Sequence, residues 1–90
     1  MNATVRFAGA GFEIRNNDTY RWNDCDLDLN SDYSITGRGI EPGDSITLPA
    51  RAFVRRDGTR FDFRSTKPVT LFIYCRETPF GNRSTLVGWH

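Results

Sequence analysis

Short runs in which apolar and polar residues alternate, each closed by a turn signal, constrain this chain more than any other feature. Val5 and Phe7 alternate with polar neighbours up to Ala8. Phe12 and Ile14 do the same with Glu13 and Arg15, and Asn16-Asn17-Asp18 closes a turn. A period of two is the period of a half-buried strand. Short polar side chains tolerate the dihedrals that turns need. Tyr33–Ile40, interrupted by Gly37 and Gly39, is a weaker strand, followed by the turn Glu41-Pro42-Gly43-Asp44. Ile46 and Leu48 form a short strand ended by Pro49. Asp57-Gly58 marks a tight turn between Val54 and Phe61. Phe61 and Phe63 alternate with Asp62 and Arg64, which predicts a strand with both aromatics on the core side. Val69–Arg76 is the strongest run, with Val69, Leu71, Ile73 and Cys75 on the inward parity. After the turn Pro79–Asn82, Thr85–Trp89 completes the chain. No helical period of useful length appears.

One run changes phase. Between Tyr20 and Asn30, Tyr20 and Trp22 share one parity while Cys25, Leu27 and Leu29 share the other. A strand buries both sets on one face only if an extra residue intervenes, so a bulge is predicted near Asn23-Asp24. Trp22 then belongs to the core or caps its end. Seven or eight short strands at spacings of about ten residues fit an antiparallel sandwich or a small barrel. Ninety residues make one domain, 1–90, with a core small enough to need reinforcement.

The two cysteines supply a candidate reinforcement. Cys25 lies in phase with Leu27 and Leu29, and Cys75 with Leu71 and Ile73, so both point inward. The expected arrangement is a Cys25–Cys75 disulfide across the gap between two sheets, with two buried free thiols as the alternative. A bridge implies an oxidising compartment. Two cysteines this far apart, with His90 as the lone histidine, do not make a metal ligand set.

Charge is balanced overall and uneven along the chain. Twelve basic and eleven acidic residues give +1, and Lys67 is the only lysine among the basic residues. A dedicated nucleic-acid binder carries a larger basic excess. The preference for Arg reflects either forked recognition or a GC-rich genome. Asp24, Asp26 and Asp28 alternate on the face opposite Cys25, with Asp32 just beyond. A calcium loop of the helix-loop-helix kind would need Gly at its sixth position and Glu at its twelfth, which here are Leu29 and Ile35. The basic block holds Arg51, Arg55, Arg56, Arg60, Arg64 and Lys67 against Asp57 and Asp62. Phe53, Phe61 and Phe63 are interleaved with it, as in a single-strand nucleic-acid platform. Inward-facing aromatics would not be free to stack, which leaves a charged or protein-facing patch around Arg55, Arg56 and Arg60.

Phe72 and Tyr74 lie on the outward parity of the strongest run, beside Arg76. Aromatics and Arg dominate interface hot spots, so this row is a candidate interaction surface unless a loop covers it. Catalysis finds no support. No nucleophile–base pair, paired acids or Gly-rich phosphate loop is readable, so neither an enzyme nor a cofactor is expected. No apolar run approaches the roughly 18 residues of a transmembrane helix. The segment Met1–Arg6 lacks the pattern of a signal peptide, so either the protein stays inside the cell or a leader or anchor lies outside this sequence.

Asn16-Asn17-Asp18, Trp22, Cys25, the stretch Ile40–Asp44, Asp57-Gly58-Thr59-Arg60-Phe61, Lys67-Pro68 and Cys75 together resemble a group of small uncharacterised bacterial domains. Members of that group often stand behind a membrane anchor or a lipoprotein-like leader. Ile40–Leu48 is also similar to the strand-turn-strand step of bacterial immunoglobulin-like domains. The resemblance implies an all-β, immunoglobulin-like antiparallel sandwich of extracytoplasmic type, in the periplasm or at the cell surface, and carries no activity. The expected function is a non-enzymatic binding module whose partner is another protein, with any membrane contact made through an anchor. A phage capsid-decoration or anti-host-defence protein is the first alternative. An anionic-polymer or nucleic-acid binder using Arg51–Lys67 is the second.

Overall fold

The structure, a computed structural model, describes residues 1–89, Ala8 by its backbone alone; His90, set aside above as a metal ligand, lies outside them. Seven strands follow one another: β1 Ala3–Ala8, β2 Gly11–Asn16, β3 Trp22–Leu29, β4 Tyr33–Ile40, β5 Ser45–Pro49, β6 Thr70–Thr78 and β7 Gly81–Gly88. They form two antiparallel sheets, one ordered β1-β2-β5 and the other β4-β3-β6-β7. The chain changes sheet after β2, after β4 and after β5, which is a Greek-key sandwich of immunoglobulin-like type. Relative to an antibody constant domain, the fourth strand pairs with the third instead of the fifth, leaving the first sheet three strands wide.

The inward-facing parities fill one core. Phe12, Ile14, Trp22, Leu27, Leu29, Phe53, Phe61, Leu71 and Ile73 are all buried between the sheets. The bulge is where the phase change places it. The β3–β4 register shifts between Trp22 and Cys25, and Asp24 takes a left-handed φ of 49°. Trp22 is therefore core, with its Nε1 donating to an Asp18 carboxylate oxygen at 2.9 Å. Gly11 is required by close approach, because a Cβ there would stand 2.6 Å from the Leu48 carbonyl oxygen of β5.

Asn16 is more than a turn residue. It is fully buried at the end of β2, where its amide donates to the carbonyls of Tyr20 and Ile40 at 2.9 Å each. Its side-chain oxygen accepts from the Asp18 N–H at 2.8 Å. The amide's N–H groups and its oxygen are all used on backbone, of the turn after β2 and of the last residue of β4, so the residue ties β2 to the end of β4.

Three expectations fail. Cys25 and Cys75 are disulfide-bonded, but within one sheet, as directly opposed residues of neighbouring strands β3 and β6 with Cα atoms 4.0 Å apart. Inward parity tells that a side chain faces the core, not which sheet it comes from, and two opposed residues of adjacent strands satisfy it equally. No strand forms at Phe61–Phe63. Ala50–Ala52 make a single 3-10 turn, and most of the chain from there to Val69 is irregular. Phe61 is buried, whereas Phe63 is only half-buried. Val69 is half exposed, because β6 begins one residue later.

The irregular connection is tied down at a few points. Val54 exchanges backbone hydrogen bonds with Ser34 of β4 at 2.9 and 3.3 Å. Phe53 accepts from Phe61 N–H at 2.9 Å, closing a small loop around the Asp57-Gly58 turn, where Gly58 has φ 90°. Asn30 reaches back to hold the far end, its amide donating to the Lys67 carbonyl and its oxygen accepting from Val69 N–H at 2.7 Å.

Candidate binding surfaces

The six residues expected on an interaction surface divide among four places. Phe72 and Tyr74 lie half-buried on the outer face of the four-stranded sheet, with Arg76 at its exposed end. Arg55 points elsewhere, bonded to Asp32 at 2.8 Å and lying over the Tyr33 ring at 4.7 Å. Arg56 is exposed in the turn that follows. Arg60 lines a cleft on the irregular connection.

Strand pairing builds the outer face of the four-stranded sheet. Directly opposed residues project on the same side. The pairs Val54–Ser34, Ser34–Asp28, Asp28–Phe72 and Phe72–Leu86 therefore form one row across the sheet. Leu86 is 63% exposed, Phe72 and Val54 are half-buried, and Asp28 stands between Ser34 and Phe72. One step along, Asp26 is opposed by Tyr74.

The acidic block on this face is resolved unequally. Arg76 sits 2.6 Å from Asp26 and 3.8 Å from Asp24, with its guanidinium 5.3 Å from the Tyr74 ring centre. Its hydrogen bond holds the Asp26 carboxyl below the usual carboxylate value. Asp28 makes no side-chain hydrogen bond and no ion pair among the described residues. Burial, and then the charge of Asp26, push its pKa above the ordinary value. Among the described residues, the outer face of the three-stranded sheet offers nothing comparable. Its central pair Arg6–Glu13 is closed at 2.8 Å, with Thr4, Arg15, Ser45 and Thr47 around it.

The irregular connection carries the other two candidates. A cleft of about 700 Å³ opens between the Pro49–Arg51 corner and the return segment Arg60–Arg64. A smaller groove of about 400 Å³ lies beyond Phe63, lined by Phe7, Trp89, Pro68 and Lys67. Phe7 is 44% exposed, and its ring centre is 4.9 Å from that of Trp89 and 5.8 Å from that of Phe63. Aromatic surface is thus available beside the basic block, contrary to the inward-facing arrangement expected of Phe61 and Phe63 together.

Parity found Phe72 and Tyr74 but not the rest of their row. Leu86 and Asp28 join them only through register, which a sequence without turn lengths does not state. The clefts had no signal beyond the Arg clustering, because irregular backbone has no period to read. Among the described residues, no group of three or more His, Cys, Asp or Glu is arranged to hold a metal ion, and no helix is long and apolar enough to cross a membrane. No family model, curated protein or solved structure matches the chain.

Proposed function

We propose that this protein is a non-enzymatic binding module that engages another protein through the outer face of its four-stranded sheet. The observation that carries this reading is Asp28. It is a carboxylate left without a partner among the described residues and partly shielded from water between Ser34 and Phe72, in a row that ends at the exposed Leu86. A surface charge that lacks a partner in the free protein is completed by an opposite charge on the bound one, while the apolar flank supplies buried area. The partner segment would present a Lys or Arg flanked by large apolar side chains. Tyr74 and the Arg76–Asp26 pair form the rim. The Cys25–Cys75 bridge supports an oxidising, extracytoplasmic setting.

Selection of a displayed peptide library on the immobilised protein tests this. Enriched peptides should carry a basic residue next to an apolar one. Their binding should fall at least about tenfold in Asp28→Lys and in Leu86→Lys, and stay unchanged in Arg56→Ala. Enrichment without that pattern, or binding indifferent to both outer-face variants, would remove this face from the reading.

A further inference from the structure

The basic residues of the connection have a different character from the acidic ones of β3. Arg76 and Arg55 between them take up Asp24, Asp26 and Asp32. Arg51, Arg60 and Arg64 stand in no ion pair among the described residues, yet all three line the same cleft. Asp62, the one carboxylate in that lining, is engaged locally, with one oxygen accepting the Arg64 N–H at 2.9 Å.

The cleft is built rather than accidental. Its first wall is fixed by Ala50 N–H donating to the Ala10 carbonyl at 2.9 Å and by Phe53 N–H donating to the Ala50 carbonyl at 3.1 Å. Its second wall is fixed by Phe61 N–H on the Phe53 carbonyl and by Ser65 and Thr66 N–H groups on the Asp62 carbonyl. One guanidinium N–H of Arg60 crosses between the walls to the Arg51 carbonyl at 3.0 Å, which orients that fork in advance. The floor is apolar, made of buried Ala50 and Phe61 and half-buried Phe63. A volume of about 700 Å³ is within the range of small-molecule sites, which pair an apolar lining with a few placed polar groups.

We propose that this cleft is a second binding site, for a small organic anion: a carboxylate or phosphate carried on an apolar body. The oxyanion meets the forked guanidinium groups of Arg60, Arg51 and Arg64, which match either geometry through paired N–H donors. The apolar body lies on Phe61 and Phe63. Holding Arg60 in place beforehand lowers the ordering cost of binding. The site is independent of the outer sheet face.

Amide-resolved NMR titration of the oxidised protein with phenyl phosphate and with benzoate tests the proposal, with inorganic phosphate and benzyl alcohol as the half-ligands. Saturable shifts are expected at Ala50–Arg51 and Arg60–Arg64, weaker with either half-ligand. The comparison of phenyl phosphate with benzoate tells which oxyanion is preferred. Arg64→Ala, whose side chain makes no bond among the described residues, and Arg60→Lys, which keeps the charge without the fork, should each weaken binding at least about tenfold. Leu86→Lys should leave it unchanged. Shifts that do not saturate, or that appear equally around exposed arginines far from the cleft lining, Arg38 of β4 and Arg83 of β7, overturn the site. Binding of heparin without binding of either small anion overturns it too, in favour of a diffuse polyanion surface.

Discussion

Strand β3 and the connection from Ala50 to Val69 bury side chains in the same core and carry the two charge blocks of the molecule, yet they solve the charge problem differently. In β3, each side chain has fixed neighbours on both flanking strands. Arg76 of β6 therefore falls beside Asp24 and Asp26, leaving Asp28 alone without a partner among the described residues. In the connection, backbone pairing is limited to a few points, and Arg51, Arg60 and Arg64 line a cleft without an ion pair among the described residues. Regular pairing matches charge within the molecule. Irregular backbone leaves it available to something else, which is why binding residues concentrate on such segments.

The bridge is the sharpest way to probe the regular half. It joins opposed residues of β3 and β6 and closes a loop spanning 50 positions. Replacing both cysteines with Ala should cost about 4 kcal/mol on the chain-entropy account, read as a lower urea midpoint. A loss far smaller than that would mean the β3–β6 pairing already restricts the unfolded chain, and the bridge is redundant with it.

The matching probe of the irregular half is Phe61→Ala. Phe61 is buried, its ring centre 5.1 Å from that of Tyr33 and 6.4 Å from that of Phe12. Truncation should cost about 3 kcal/mol, with a single unfolding transition. A cost under about 1 kcal/mol, or a second transition, would show that the connection opens separately from the sandwich, and the two regions would differ in stability as well as in charge.

The same contrast governs what is legible in the sequence. The alternation of Phe12 and Ile14, of Leu27 and Leu29, and of Leu71 and Ile73 gave the fold class, because a period of two is local. The phase change after Trp22 gave the bulge for the same reason. Partner strands are not local. Parity aimed Cys25 and Cys75 correctly and still suggested the wrong kind of bridge, since nothing in it names the sheet. Phe61 and Phe63 carry the alternation of a strand without being one, because Asp62 spends its side chain and carbonyl on turns at Arg64, Ser65 and Thr66. Phe72 and Tyr74 were legible as a surface, whereas Asp28 and Leu86 became part of it only with the register in hand.

Arg76→Ala separates the two acidic neighbours on β3. The pair is exposed enough that the loss at neutral pH should be slight, and the pH profile is the more telling readout. Asp26 is held below its ordinary pKa when folded, so it binds fewer protons folded than unfolded. Its stabilising contribution is complete above the ordinary value of about 3.9 and disappears as the pH falls through the lower folded one. Urea midpoints taken from pH 6 down to pH 2 should therefore fall less steeply in Arg76→Ala than in the wild type. An unchanged slope would mean that the Arg76–Asp26 contact contributes nothing in solution.

Asp28→Asn should act in the opposite direction, and it is the smallest effect of the four. Burial and the nearby Asp26 raise the folded pKa of Asp28, so the folded state holds its proton more tightly than the unfolded chain does. Its ionisation is a penalty, present in full above the raised folded value and lifted below about 3.9. The amide removes that penalty without changing the shape of the row. A gain of at most about 0.5 kcal/mol is expected at pH 7, shrinking to nothing near pH 3. Asp28 would then be a residue kept at a cost to stability, in a row that Phe72 and Leu86 make partly apolar. A loss on substitution instead would mean that the carboxylate already has a partner in solution, and the case for an external cation at this position would end there.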